Sequence, residues 1–156
     1  ICYFSAGTSE DWRPDINQFN TSHMGAHLPL WPGERWLDIR QKEVLKIQKK
    51  RIRMAAQKGC DAVDPDNVDG FDNENGGGFK PPLTPKDTIK FMRHLSTYSR
   101  RHGMSIGLKN AVSVMPKLEK YVQFAVNEEC ITEDECEKYD SFMSPKRHRG
   151  KPVFHI

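Results

Sequence analysis

The chain has 156 residues, of which 37% are hydrophobic and 29% are charged. This length is typical of one folded domain and is short for two. The apolar runs fall well below the ~18–20 residues that a membrane-spanning helix needs, and the formal net charge of +3 is too small to indicate a nucleic-acid partner. We therefore expect neither a membrane span nor nucleic-acid binding.

Both ends of the chain are apolar and have the character of strands. The sequence opens on the run 1–6 and closes on the run 152–156. Complete domains usually end in polar, frayed residues. We therefore expect an internal piece of a longer protein, in which a missing signal peptide carries no information about targeting.

Six short apolar segments alternate with helical patterns, which is typical of βα units on a parallel sheet. The segments cover residues 1–6, 35–39, 60–66, 104–109, 121–127 and 152–156. The first five end in polar side chains, and enzymes built on (β/α)8 barrels carry their active sites at this edge. The pattern favours the α/β class and an incomplete (β/α)8 TIM barrel, with about six of eight units, over an open doubly wound sheet.

Two long helices are predicted between these segments. An apolar stripe through Leu45 and Ile52 predicts one over residues 41–58, with a basic face that indicates solvated surface rather than a nucleic-acid site. Thr84, Pro85 and Asp87 form a start signal for the second, which Gly103 ends. Shorter helices are expected over 114–119 and 132–142, and a loop over 73–82.

The four cysteines include no C-x-x-C pair of the kind found in structural zinc sites. Cys130 and Cys136 are close enough in sequence for a disulfide across a short loop, which would imply an oxidising compartment. Four unpaired thiols are an equally good interpretation.

The acidic strand 60–66 carries the most informative pattern. Side chains alternate along a strand, so Asp64 and Asp66 share one face. Burying carboxylates is costly unless they are paired, which favours a functional role. The spacing does not fit the calcium-binding loop of an EF-hand, and we expect no metal. Helix capping, or ion pairs with Lys109 and Arg40, is the structural alternative.

Glu128 is the candidate for a second carboxylate. It follows the strand 121–127 and shares the parity of Phe124 and Val126, whereas Glu129 points the other way. Carboxyl groups on strands two apart in a barrel can lie ~5–5.5 Å from each other, which is the separation used by retaining glycosidases.

Aromatic and charged side chains near the strand ends are candidate sugar-binding groups. Tyr3, Trp31 and Trp36 can stack on sugar rings, and core packing explains Trp36 equally well. Glu10 and Arg13 follow a turn and form either sugar-binding groups or an ion pair within the loop.

Five segments carry a family resemblance: residues 1–7 together with Glu10 and 13–15, and then 31–40, 59–67, 108–111 and 127–130. They match, in order, motifs of glycoside hydrolase family 114, which the chain resembles nearly end to end. The resemblance implies a TIM-barrel endo-α-1,4-polygalactosaminidase that is secreted and needs no metal or other cofactor. It also implies that Asp66, on the fourth barrel strand, and Glu128, on the sixth, are the catalytic carboxylates.

These observations lead to one set of expectations for residues 1–156, interpreted as a partial TIM-barrel hydrolase domain. The substrate is a polysaccharide rich in galactosamine, and the complete domain is a monomer. The expected substrate-binding residues are Tyr3, Glu10, Arg13, Trp31, Trp36, Asp38, Asp64, Asn67, Lys109 and Asn110. The alternatives are a carbohydrate-binding barrel without turnover and an inactive fragment of the enzyme.

Overall fold

The computed structural model describes residues 1–144 and 150–156. Its strands, in chain order, are β1 (Cys2–Ser5), β2 (Thr8–Glu10), β3 (Met24–His27), β4 (Glu34–Leu37), β5 (Ala62–Asp66), β6 (Ser105–Lys109), β7 (Phe124–Asn127) and β8 (Val153–His155). The helices are α1 (Lys42–Gln57), α2 (Glu74–Gly77), α3 (Pro85–Arg101), α4 (Met115–Leu118) and α5 (Asp140–Met143). Four single 3₁₀ turns lie at Ile16–Gln18, Thr21–His23, Val112–Val114 and Cys136–Tyr139.

Five strands form one parallel sheet in the order β1-β5-β6-β7-β8. The side chains that face the helices form the main core, and they include Val63, Ile106, Leu108 and Ala125. The opposite face carries a smaller cluster of Ala62, Phe124 and Val126. This alternation confirms the predicted parity of strands β5 and β7, and the α/β architecture of an incomplete barrel is confirmed with it.

The prediction that residues 35–39 form a strand of the parallel sheet is wrong. Strand β1 pairs directly with β5, from Cys2 opposite Val63 to Ser5 opposite Asp66, so no strand lies between them. Strand β4 instead joins β2 and β3 in a separate antiparallel sheet of order β2-β4-β3. The parallel sheet described here therefore holds five strands and not six.

The two long helices form where the sequence predicts them. Helix α1 buries Ile52 and Ala55 in the main core, and Val44 in a separate cluster with Phe19 and Leu37. At the start of α3, the backbone N–H and the hydroxyl of Thr84 both donate to the Asp87 carboxylate, which satisfies groups that a helix end leaves unpaired.

The predicted helix over 132–142 is only partly correct. The structure has the 3₁₀ turn Cys136–Tyr139 and the short helix α5 in this range. A disulfide between Cys130 and Cys136 holds their Cα atoms 4.8 Å apart. Residues six apart in an α-helix are separated by about 9 Å along its axis, so one continuous helix cannot contain both cysteines.

All four cysteines are oxidised, in two disulfides. Cys130–Cys136 closes the loop after β7, as one of the two sequence interpretations predicted. Cys2–Cys60 joins the start of β1 to the residue that precedes its neighbour β5, across a separation of 58 residues. The four unpaired thiols of the alternative interpretation are therefore contradicted.

We predict that Cys2–Cys60 stabilises the fold more than Cys130–Cys136 does, because it closes the longer loop of the unfolded chain. The chain-entropy difference corresponds to about 2 kcal/mol. Urea titrations of the variants C2S/C60S and C130S/C136S of the full-length protein measure it. Equal losses of the free energy of unfolding would contradict the prediction.

Candidate active site

Lys109 lies at the centre of a charged cluster at the carboxyl edge of the parallel sheet. It is the last residue of β6 and is buried. Its Nζ is 3.0 Å from Oδ2 of Asp66 and 3.2 Å from Oε2 of Glu128. Since both oxygens contact one nitrogen, they are no more than about 6 Å apart. The sequence predicted all three residues, and the structure brings them together.

The order of the strands explains this meeting. Strand β6 lies between β5, which ends at Asp66, and β7, which Glu128 follows directly. The carboxyl ends of parallel strands lie at one edge of a sheet, so the three side chains converge. Asn67 and Asn110 follow β5 and β6 at φ values of 57° and 50°. Asparagine tolerates this left-handed conformation, which turns the chain sharply at the edge.

Three donors converge on the Asp66 carboxylate. The hydroxyl of Tyr3 donates to Oδ2 at 2.8 Å, Lys109 donates to the same oxygen, and the backbone N–H of Asn67 donates to Oδ1 at 2.8 Å. Burial and the Asp66 charge raise the pKa of the Tyr3 hydroxyl, which keeps it protonated. These three hydrogen bonds fix the position of the Asp66 carboxylate.

Glu128 has a more open environment. Its side chain is 45% exposed. Asn110 fixes its position, because Asn110 Oδ1 accepts the Glu128 backbone N–H at 3.0 Å and Asn110 Nδ2 lies 3.5 Å from Oε2. Burial lowers the pKa of Lys109, but the charge of Asp66 and the hydrogen bonds to both carboxylates outweigh burial and raise it. The lysine is therefore a fixed cation between two acids.

Asp64 lies on the same face of β5 as Asp66, one layer deeper in the sheet. It is 7% exposed, and its buried Oδ1 has no hydrogen-bond partner among the residues that the structure describes. Burial and the charges of Asp66 and Glu128 raise its pKa to about 6, against the opposing effect of Lys109. Asp64 therefore carries a proton more readily than an ordinary aspartate.

A chain of hydrogen bonds connects Asn67 to a buried glutamate that the sequence analysis missed. Asn67 Nδ2 donates to Ser5 Oγ at 2.9 Å, the hydroxyls of Ser5 and Thr8 are in contact, and Thr8 donates to Oε2 of Glu34 at 2.6 Å. Burial raises the pKa of Glu34. Only the pairing of β4 with β2 brings Glu34 here, and no local sequence pattern predicted that pairing.

Glu10 and Arg13 form the ion pair within the loop that was one of their two interpretations. Arg13 Nε lies 2.8 Å from Oε2 of the buried Glu10. Arg51 of α1 is 3.9 Å from the same oxygen and binds Asp15 at 2.8 Å. The charge of Glu10 also raises the pKa of Tyr3, so this pair borders the cluster around Lys109.

Three of the predicted site residues lie away from Lys109. Asp38 accepts hydrogen bonds from the side chains of Arg40 and Gln41. Trp36 is buried and donates its Nε1–H to Glu74. Trp31 is 61% exposed, in the loop between β3 and β4.

We predict that Asp64 makes the stability of the fold depend on pH. Because its folded pKa is raised, its stabilising contribution is complete below the ordinary value of 3.8 and is lost as pH rises through about 6. Wild type should therefore lose stability relative to D64N as pH rises. The free energy of unfolding of D64N minus that of wild type should increase by up to about 3 kcal/mol between pH 4 and pH 8. Urea titrations across this range measure it.

The control for this prediction is Asp61→Asn, which changes an exposed aspartate directly before β5. It should leave the pH dependence of the free energy of unfolding as it is in wild type. The prediction would be contradicted if the difference in free energy of unfolding between D64N and wild type stays constant with pH.

Over residues 1–144 and 150–156, no group of three or more His, Cys, Asp or Glu side chains is placed to bind a metal ion. No helix in this part of the chain has the length and apolar character needed to cross a membrane.

Comparison with solved structures shows close similarity to a fungal protein whose crystal structure is known. The crystal structure of Ega3 from Aspergillus fumigatus, in complex with galactosamine, is 48% identical and superposes with a TM-score of 0.92. The match covers 99% of this chain and 59% of that one, so the chain spans less than two thirds of the length of this relative.

A more distant comparison concerns the fold alone. The glycoside hydrolase domain of PelA from Pseudomonas aeruginosa is 14% identical with a TM-score of 0.68, over 97% of this chain and 64% of that one.

A search of the curated proteins finds no match. The sequence model of glycoside-hydrolase family GH114 matches residues 1–156. The chain therefore belongs to glycoside-hydrolase family GH114.

Proposed function

We propose that the full-length protein is an endo-acting glycoside hydrolase that cleaves α-1,4-linked galactosamine polymers, with Asp66 and Glu128 as its catalytic pair. The observation that carries this proposal is that Lys109 contacts both carboxylates at the open edge of the sheet. Membership of GH114 and the similarity to Ega3, whose crystal structure holds galactosamine, support the substrate class.

In the first step, Asp66 is the nucleophile. One of its carboxylate oxygens attacks the anomeric carbon, the bond from that carbon to the bridging oxygen breaks, and the Glu128 carboxyl gives its proton to that oxygen. The donors Tyr3, Lys109 and Asn67 favour this role because they hold the Asp66 carboxylate in place. The products are a glycosyl ester on Asp66 and a free chain end.

In the second step, Glu128 acts as a base toward water. It takes a proton from the water molecule, whose oxygen attacks the anomeric carbon and releases Asp66 as a carboxylate. The exposure of Glu128 supports this role, since both the leaving chain and the incoming water approach from solvent. Two displacements at one carbon return the original configuration, so we propose a retaining reaction.

The separation of the carboxylates supports retention. Inverting enzymes need room for a water molecule and hold their carboxyl groups about 6.5–9.5 Å apart, whereas retaining enzymes hold them at about 5–5.5 Å. The shared contact with Lys109 keeps the two oxygens within about 6 Å, which favours direct attack by Asp66.

The charge of the site supports a cationic substrate. The chain as a whole is positive, at +3, yet acidic side chains dominate the region around Lys109. They include Glu10, Glu34, Asp64, Asp66 and Glu128. A galactosamine unit with a free amino group carries one positive charge, so this local field attracts it. N-acetylation removes that charge and the attraction with it.

We also propose that the protein is secreted and that its active site needs only one subunit. Two disulfides join all four cysteines, and such bonds persist in oxidising environments such as the extracellular space. Asp66, Lys109 and Glu128 come from a single chain, so a monomer contains the whole catalytic group.

We predict that D66N and E128Q each lower the rate of polymer cleavage at least about 10³-fold, because each removes one of two groups that act together. The assay measures new reducing ends from de-acetylated galactosamine polymer with the full-length protein. Glu129→Gln is the matched control, because it changes the adjacent glutamate, and it should keep the wild-type rate.

Near-normal cleavage by either variant would overturn the assignment of the pair. Binding of the polymer by the wild-type protein without release of new reducing ends would instead identify a carbohydrate-binding barrel. Cleavage lost equally in E129Q would show that the loop after β7, and not the Glu128 carboxylate, determines the loss.

We predict that K109M lowers kcat at least about 100-fold, because it leaves Asp66 and Glu128 without the cation that holds both. K109R keeps the charge and should retain more activity than K109M. Circular dichroism checks that both variants are folded. Equal activity of K109M and wild type would show that the lysine does not position the pair.

A further inference from the structure

A second recess opens beside the catalytic pair, outside the parallel sheet. It is a cleft of about 210 Å³ between the loop that joins β3 to β4, strand β4 itself and the segment that follows β5. Its size suits a single sugar ring and is below the range of about 300–1,000 Å³ that is usual for drug-sized ligands. The antiparallel sheet, which the sequence did not predict, builds one wall.

The cleft shares Asn67 with the surroundings of the proposed cleavage site. Asn67 lines the cleft, and its backbone N–H donates to Oδ1 of Asp66 at 2.8 Å. A sugar in the cleft would therefore lie close to the unit whose linkage Asp66 attacks. Several consecutive sugar units of a bound polymer contact the protein along this edge. Binding of the neighbouring units holds the reacting linkage in position.

An exposed tryptophan lies at the rim of the cleft. Trp31 is 61% exposed, although Trp36 on the floor is buried with its Nε1–H bonded to Glu74. Gly70 is needed under that floor, because a Cβ there would lie 2.8 Å from the Trp36 ring. The structure thus fixes Trp36 and leaves the Trp31 ring free to stack against the C–H face of a sugar.

Acidic groups line the same cleft. Asp69 and Glu74 are both among its walls. Burial, together with the charges of Asp66 and Asp72, raises the pKa of Asp69 to about 6. A cation bound beside Asp69 would relieve this repulsion, so the cleft is complementary to a positively charged ligand.

We propose that this cleft is a subsite for a second cationic amino-sugar unit of the polymer, in which Trp31 stacks on the ring and Asp69 and Glu74 pair with its ammonium group. This inference rests on the proposed function, because it takes the polymer as substrate. It assigns the recognition of free amino groups to a unit that is not itself cleaved.

The test separates binding from cleavage. All variants are made in full-length E128Q, so that a de-acetylated galactosamine hexasaccharide stays intact during titration calorimetry. We expect E128Q/W31A and E128Q/D69N each to raise Kd about tenfold relative to E128Q. The fully N-acetylated hexasaccharide should lose affinity with W31A and be insensitive to D69N, since it carries no ammonium group.

Two controls match these variants. Trp12→Ala removes a tryptophan that is 54% exposed outside the cleft, and Asp61→Asn removes an exposed charge before β5. Both should bind as E128Q does. If W31A and D69N bind no more weakly than these controls, the subsite is overturned.

Cleavage by the wild-type protein distinguishes this failure from failure of the proposed function. If wild type cleaves the polymer while W31A and D69N leave binding unchanged, only the subsite is overturned. If wild type does not cleave but binding still depends on both residues, the subsite holds and the hydrolase assignment falls. No binding of the hexasaccharide to E128Q overturns the subsite, and no binding together with no cleavage by wild type overturns both.

Discussion

The ammonium group of Lys109 holds two carboxylates from different strands at a separation that suits one sugar linkage. Its Nζ lies within hydrogen-bond distance of one oxygen of Asp66 and one of Glu128. Lys109 is buried at the end of β6, which lies between β5 and β7. The sheet therefore fixes its position, and not a mobile loop. The chemistry proposed for the site therefore depends on the register of three parallel strands.

The antiparallel sheet adds what the parallel sheet cannot provide. Strand β4 brings Glu34 to the hydrogen-bond chain that reaches Asn67, and it places Trp36 on the floor of the cleft. Residues that act on one linkage thus lie at the edge of the parallel sheet, whereas the residues proposed to hold the neighbouring sugar lie in the loop between β3 and β4 and in the segment that follows β5. Such a division lets loops and insertions change specificity while the catalytic edge stays the same.

Much of the site could be predicted because strand periodicity is a local property. Alternation along β5 and β7 placed Asp66 and Glu128 on one face, and the structure confirms that parity. Pairings between distant segments leave no such local signal. The sequence of β4 resembles a buried parallel strand, but its partners are the short segments β2 and β3, and the Cys2–Cys60 bond follows from the adjacency of β1 and β5.

The configuration of the first product tests the account most directly. Proton NMR of the full-length protein acting on de-acetylated α-1,4-galactosamine polymer can resolve the anomeric signal of the new reducing end before mutarotation. If Asp66 attacks the anomeric carbon across the short gap spanned by Lys109, the α-anomer appears first. Initial formation of the β-anomer would show a single displacement by water and would contradict the account.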